Sequence, residues 1–205
     1  MPNFTDLTGL AGVAVAATAA TLLLPSVARL AQQRMAVLLG LIFVLMLVPL
    51  GNLSLAAYLR GATGDLSITT LVLLACALLK FRCNTSDSKH YIQLLVTLVA
   101  LVLYPMALGA SSYDPYRLGY GDTQFVAALL LLALVAWVWK HDLIAVCIAS
   151  ATLAWSIGWY ESGNLWDYLL DPFVSIYALS AIISRMVKTL SMRAQPKKSQ
   201  PTFPE

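Results

Sequence analysis

Long apolar runs separated by short polar connections are the main pattern along this chain. A helix that crosses the roughly 30 Å hydrocarbon core of a bilayer needs about 20 mostly apolar residues. Seven runs approach this length: 8–28, 35–57, 65–81, 91–109, 123–139, 142–160 and 169–187. The pattern therefore predicts an all-α fold, a polytopic bundle of seven transmembrane helices.

Two stretches decide the number of spans. The stretch 123–160 is too long for one crossing, and the polar residues 140–142 break it, which predicts a tight helical hairpin. The run 65–81 is the weakest, because its continuous apolar part is short. A re-entrant segment there is the alternative, and it would leave six spans.

Composition supports a membrane protein and excludes the other classes. Hydrophobic residues make up 60% of the chain, charged residues 11%, and the mean hydropathy is +0.77. Soluble domains carry about 25% charged residues, so this chain cannot cover its surface with polar groups. It is also far too apolar to remain disordered in water.

The few charges predict an orientation. If the spans alternate and the C-terminus is cytoplasmic, all of the 13 Lys and Arg residues except Arg60 and Arg117 fall on the inner side. Short cytoplasmic loops are expected to carry this excess of basic residues. We therefore predict an N-out/C-in protein of the bacterial inner membrane. Most of the acids fall on the outer, periplasmic side: Asp6, Asp65, Asp114, Asp122, Glu161, Asp167 and Asp171.

The chain is expected to form one domain with a short tail. Residues 1–190 hold all the apolar runs and are predicted to be a single transmembrane helical domain. Residues 191–205 are rich in Pro, Lys, Ser and Gln, which is typical of a disordered basic tail in the cytoplasm.

The connection between the last two runs is the richest in functional side chains. It contains two Trp, two Tyr and three acids: Trp159, Tyr160, Glu161, Trp166, Asp167, Tyr168 and Asp171. One interpretation is structural. Asn164 would cap a short helix with Asp167 as its acidic partner three residues later, and Asp171 before Pro172 would cap the last span. Trp and Tyr are common at the headgroup level in any case.

The other interpretation is functional and rests on depth. Asp171 precedes Arg185, at the inner end of the last span, by 14 residues, about 21 Å of helix, which is less than the hydrocarbon thickness. Ionisable groups at such depth often mark a substrate or ion route. Asp171, Asp167 and Glu161 are therefore candidate catalytic residues, acting as acid, base or cation ligand.

Two further outer loops add aromatic and charged groups. The loop 111–122 supplies Tyr113, Tyr116, Arg117 and Tyr120, and the loop 58–65 supplies Arg60 and Asp65. Asp65 and Asp122 each follow a Gly before an apolar run, which predicts two N-caps. Arg117 is expected to pair with Asp114 or Asp122, and the alternative is that its guanidinium holds a phosphate or carboxylate. Together with Trp159, Tyr160, Trp166 and Tyr168, these loops form a candidate surface for a substrate or a partner protein.

These features leave three functional hypotheses. The chain has no HExxH, P-loop or GxGxxG motif, and its three Cys lack metal-site spacing, so we expect no metal, no cofactor and no nucleic-acid partner. The leading hypothesis is an accessory or assembly subunit, or a lipid or glycan handler, in cell-envelope biogenesis. Its expected partners are membrane lipids and another membrane protein subunit. The alternatives are a membrane-embedded enzyme that uses the outer carboxylates on a lipid-linked substrate, and a proton- or cation-coupled transporter.

Overall fold

A computed structural model describes residues 4–21, 32–78 and 86–194 of the chain, and these residues are mostly helical. This confirms the all-α prediction. The α-helices are α1 (Phe4–Thr21), α2 (Gln32–Leu47), α3 (Leu55–Thr63), α4 (Ile68–Leu78), α5 (Ser86–Pro105), α6 (Thr123–Val138), α7 (Asp142–Ser156), α8 (Leu165–Leu169) and α9 (Pro172–Ala194).

The helix lengths support a membrane protein without settling the number of spans. In the described part of the chain, two stretches are long and apolar enough to cross a bilayer, 88–110 and 172–192, with mean hydropathies of 2.1 and 1.4. A third candidate is the pair α3 and α4, which meet at a bend of 119°. The other apolar helices are shorter: α1, α2, α6 and α7.

The predicted span 35–57 is interrupted. Helix α2 ends at Leu47, and two short antiparallel strands follow, β1 (Pro49–Leu50) and β2 (Leu53–Ser54). Pro49 has no N–H to continue a helix, and Gly51, at the turn of the hairpin, has a φ of 80°, which favours glycine. Helix α3 then begins with Ser54 as its N-cap, whose hydroxyl accepts a 3.2 Å hydrogen bond from the Ala57 N–H. The sequence 35–57 is therefore not one continuous helix.

The predicted hairpin of helices at 123–160 is present. Helices α6 and α7 are joined by a turn in which Lys140 has a φ of 64°. This left-handed conformation is uncommon for a non-glycine residue and allows a tight reversal.

The main core lies where α4, α5, α6, α7, α8 and α9 meet. Helix α7 presents one buried stripe at four-residue spacing, Leu143, Cys147 and Ala151, each at most 1% exposed. This spacing places the three side chains on one helix face. A smaller cluster packs α1 against α3 through Val13, Ala14 and Ala56.

The end of the chain is described only in part. Helix α9 continues through the first residues of the predicted tail to Ala194, and the remainder of the predicted tail, 195–205, lies outside the described residues.

Candidate functional site

Three connections that the sequence assigns to one side meet at one end of the bundle. The Tyr116 hydroxyl donates a 2.8 Å hydrogen bond to Asp167 Oδ1, across 51 residues of sequence. An Arg60 nitrogen lies 3.6 Å from a Glu161 oxygen. At the start of α1, the Thr8 hydroxyl donates to the Trp159 carbonyl. We call this end, formed by residues 58–67, 111–122 and 157–171 with the first turns of α1, the loop pole.

The loop 111–122 packs closely on α8. The Trp166 indole N–H donates to the Pro115 carbonyl at 3.0 Å, and the Asn164 side-chain amide donates to the Tyr116 carbonyl at 3.0 Å. Gly119 makes this approach possible. A Cβ at that position would lie 1.7 Å from Asn164 Oδ1, which no side chain could occupy.

Asp167 joins this loop to α8 and is not a capping partner. Besides the bond from Tyr116, its Oδ2 accepts a 2.5 Å hydrogen bond from the Ser162 hydroxyl. Asn164 caps α8 as predicted, since its Oδ1 accepts from the Trp166 N–H at 2.9 Å. The predicted reciprocal bond from Asp167 is wrong, because the Asn164 N–H donates to Ser162 and the Asp167 carboxylate is turned towards Tyr116.

The Tyr116 hydroxyl is held in its protonated form. Burial raises its pKa, and so does the hydrogen bond to Asp167, because a phenolate would be both poorly solvated and repelled by the carboxylate. Tyr116 therefore acts as a donor to Asp167 over the physiological pH range.

Asp171 is buried and serves as a helix cap. The residue is 4% exposed, and its Oδ1 accepts a 2.7 Å hydrogen bond from the Val174 N–H in the first turn of α9. Oδ2 accepts from the Ser67 N–H at 2.8 Å and from the Thr70 hydroxyl at 2.5 Å, both at the start of α4. The predicted cap on the last helix is confirmed. The same carboxylate also accepts hydrogen bonds from the start of α4.

Arg60 lies at the centre of an ionic cluster with three acids. Its Nε and Nη2 donate to the two oxygens of Asp65 at 2.6 and 3.0 Å, and its Nη1 donates to Asp6 at 3.1 Å. Glu161 is the outermost acid, with a side chain that is 57% exposed against 16% for Arg60. The cluster carries an excess of two negative formal charges when all its members are ionised.

Asp65 is not the N-cap that its Gly-Asp motif predicts. Helix α4 begins at Ile68, and the Ser67 hydroxyl accepts the Thr70 N–H at 3.1 Å. Asp65 faces the guanidinium of Arg60 instead, five residues earlier. The same motif does hold at Asp122, whose carboxylate accepts the Phe125 N–H at 2.8 Å.

Tyr160 and Tyr168 are interior residues and not part of an exposed surface. They are 3% and 0% exposed, and their rings pack with centroids 5.1 Å apart. The Tyr168 hydroxyl accepts the Tyr160 N–H at 3.0 Å and lies 3.1 Å from the Ser162 carbonyl. Tyr168 thus holds the backbone on both sides of Glu161.

The exposed part of the predicted surface is smaller. Tyr113 and Tyr120 are 56% and 65% exposed, and Arg117 is also exposed. Within the described ranges Arg117 forms no ion pair, so its predicted pairing is wrong. The two expected partners are used as caps: Asp114 accepts the Tyr116 N–H at 2.9 Å, and Asp122 caps α6.

Comparison with known proteins returns nothing: no protein-family model, no curated protein and no solved structure matches this chain. In the described ranges, no three His, Cys, Asp or Glu side chains are grouped so as to hold a metal ion.

The sequence did not indicate several residues that build the loop pole. Ser67, Thr70 and Ser162 hold the carboxylates of Asp171 and Asp167, and Gly119 allows the two loops to touch. Ser67 with a Thr three residues later, just before an apolar run, is a weak cap signal. The contact of Ser162 with Asp167, five residues later, follows no common capping motif, and nothing local to Gly119 shows that it will meet Asn164.

Proposed function

We propose that this chain is a multi-pass protein of the bacterial inner membrane that acts as an accessory or assembly subunit in cell-envelope biogenesis. Its loop pole would be the periplasmic face and the docking surface for another membrane protein. The main observation in its favour is that Tyr113, Arg117 and Tyr120 are exposed on one loop. The hydrogen bond from Tyr116 to Asp167 holds this loop against the rest of the protein.

The contacts between loops support the alternation of connections that seven spans predict, and the distribution of Lys and Arg supports the proposed N-out/C-in orientation. Every connection that strict alternation assigns to the outer side contributes to the loop pole. Tyr91 and His141, which alternation assigns to the inner side, contact each other with ring centroids 4.4 Å apart. Omission of any single crossing would be expected to separate residues within one of these two groups.

The chemistry of the exposed side chains supports a protein partner. Tyr and Arg are enriched among residues that dominate binding energy at interfaces. Because the loop is already held by Trp166 and Asn164, little conformational entropy would be lost when a partner binds.

The hydrogen bonds of the carboxylates argue against the two alternatives. An acid–base enzyme or an ion-coupled transporter needs a carboxylate that is free to exchange protons or cations. Both oxygens of Asp167 and both oxygens of Asp171 accept hydrogen bonds from the protein itself. Glu161 is the exposed acid of the cluster, and it lies beside Arg60. We therefore rank both alternatives below the accessory role.

Lipid or glycan handling at the same face is the second candidate. Exposed aromatic faces can stack on sugar rings or hold cationic headgroups. Tyr113 and Tyr120 offer such faces, and Glu161 supplies a nearby exposed carboxylate.

Site-specific photo-crosslinking in intact cell membranes tests the proposal. A photoreactive phenylalanine would replace Tyr113 or Tyr120 in the loop pole, and Tyr91, 45% exposed near the opposite end, is the matched control. We expect a discrete protein adduct from positions 113 and 120, weakened by Arg117→Ala, and none from 91. Adducts with lipid or glycan alone would favour the second candidate. Equal adducts at all three positions, or none, would contradict a docking surface at the loop pole.

A further inference from the structure

A separate cavity, open on one side, lies between α4, α5 and α9. Its volume is about 290 Å³, and it is outside the Arg60 cluster. Its wall is largely apolar and includes Leu73, Ile92, Val96, Phe173, Val174 and Ala178. Such a lining suits a hydrocarbon chain, whose burial is favourable in proportion to the apolar area covered.

Gln93 is a buried polar group in this cavity whose side-chain oxygen is unpaired among the described residues. It is 6% exposed, and its side-chain N–H donates to the Tyr177 hydroxyl at 3.2 Å. Its Oε1 has no hydrogen-bond partner among the described residues. An unpaired buried acceptor costs free energy, so a ligand with a donor at this point would be favoured. Because the Tyr177 oxygen accepts from Gln93, its own hydrogen can be donated to a ligand carbonyl.

Lys89 adds a positive charge to the same wall. It is one helical turn before Gln93 on α5, about 6 Å along the axis, and it also lines the cavity. None of the described residues that line the cavity is acidic. Among the described lining residues the charge therefore has no acidic partner, and a phosphate or carboxylate is the group that would supply one.

The three features follow one order along α5: a cation at Lys89, an unpaired acceptor at Gln93, and apolar wall at Val96. A monoacyl glycerophospholipid has the matching order of phosphate, free hydroxyl, ester carbonyl and acyl chain. We infer that this cavity binds an anionic lysophospholipid, with its phosphate at Lys89, its glycerol hydroxyl donating to Gln93 and its single chain against the apolar wall.

Protection of Cys76 from alkylation measures occupancy, because this thiol lines the cavity. The full chain would be purified in detergent with Cys83→Ser, while Cys147 is 1% exposed. The rate of reaction with N-ethylmaleimide is followed as monoacyl glycerol phosphate is added to the micelles. We expect the lipid to slow the reaction at least about fivefold, as burial of the thiol under an acyl chain should.

Lipid analogues test each contact in the unaltered cavity. Monoacyl propanediol phosphate lacks the hydroxyl, lysophosphatidylcholine lacks the net negative charge, and glycerol 3-phosphate lacks the chain. We expect weaker protection from the first two and none from the third. Equal protection by lysophosphatidylcholine would overturn the inference in favour of nonspecific apolar filling. Protection by glycerol 3-phosphate would reduce the site to a phosphate site, and protection by no lipid would remove it.

Two variants locate the contacts. Lys89→Gln should raise the lipid needed for half-protection about fivefold, since one basic residue near an anionic lipid contributes on this scale. Gln93→Leu should abolish the preference for the hydroxyl-bearing lipid over its deoxy analogue. The exposed residues Lys188 and Gln124 provide matched controls, Lys188→Gln and Gln124→Leu, which should change nothing. Unchanged lipid preferences in both cavity variants would overturn the inference.

Discussion

The carboxylate of Asp171 accepts a 2.8 Å hydrogen bond from the backbone N–H of Ser67, a residue 104 positions earlier in the chain. Its other oxygen accepts the Val174 N–H at 2.7 Å. One buried side chain therefore satisfies unpaired N–H groups at the beginning of two helices, α4 and α9. Helix N-termini that are buried without such acceptors are destabilised, so this bond links local capping to the packing of the bundle.

Removal of this carboxylate is expected to destabilise the fold. Asp171→Ala leaves the N–H groups of Ser67 and Val174 unpaired in the interior, and together with the lost cap this should cost about 3 kcal/mol. Thermal unfolding in detergent should show a clear fall in Tm. Asp171→Asn, which keeps one acceptor oxygen, should fall between Ala and the wild type.

Asp122→Ala is the matched control, because Asp122 caps one helix from an exposed position. It should cost about 1 kcal/mol, the usual value for an N-cap. If Asp171→Ala unfolds at the same temperature as Asp122→Ala but loses cellular function, Asp171 is a functional group and not mainly a cap.

Two glycines of α1 should respond in opposite ways to the same substitution. A Cβ at Gly9 would lie 2.4 Å from an Asp65 oxygen and 2.6 Å from Arg60 Nε, so Gly9→Ala must displace the ionic cluster. At Gly12 the nearest atom is 3.6 Å away, which is ordinary contact. Gly12→Ala should leave Tm unchanged or raise it, since Ala is favoured over Gly in a helix by up to about 1 kcal/mol. Similar Tm values for the two variants would contradict the close approach of α1 to Arg60.

The contact between the loop 111–122 and α8 can be tested at Gly119. Gly119→Ala would place a carbon 1.7 Å from Asn164 Oδ1, so the two segments must separate. Overpacking of this kind costs about 1–3 kcal/mol, and the released loop should be cut faster in limited proteolysis. Gly163→Ala is the control, because a Cβ there meets nothing within 4 Å. Equal proteolysis of the two variants would show that the loop does not pack on α8.

The helices and most caps could be predicted from the sequence because their causes are local. Asp122, Asn164 and Asp171 each accept a hydrogen bond from an N–H two or three residues later. Asp65 has the same local motif as Asp122, but Arg60 lies close enough to take its carboxylate. The short Gly-Asp motif does not show whether the carboxylate will accept from a helix N–H or from a nearby guanidinium.

The candidate site could be predicted only as a set of loops. The sequence indicates that the loops share one side, but not that Tyr116 would meet Asp167, because that contact depends on how α5, α6 and α8 pack. For the same reason the sequence predicts Tyr160 and Tyr168 on the surface, whereas both are interior residues. Whether a tyrosine faces solvent depends on tertiary contacts with residues that are far away in sequence.

The stability of the loop pole should depend on pH through Glu161. Hydrogen bonding to the carboxyl of Asp6 raises the pKa of Glu161, while the charge of Arg60 lowers it and the charge of Asp6 raises it further. The folded state therefore holds the proton more tightly than the unfolded state. Stability falls as the pH rises through the interval above the ordinary glutamate pKa, and it is gained as the pH is lowered through that interval.

The measurement compares Tm of the wild type and Glu161→Gln from about pH 7 down to about pH 4.5, the ordinary glutamate range. Gln cannot ionise but keeps a donor for Asp6, so the variant should lack this part of the pH dependence. The difference in Tm, wild type minus variant, should increase as the pH is lowered. Asp6→Asn is a second check, because it removes the charge that repels the ionised Glu161 and should flatten the same difference. Parallel Tm curves for the wild type and Glu161→Gln would mean that Asp6 and Glu161 do not share a proton.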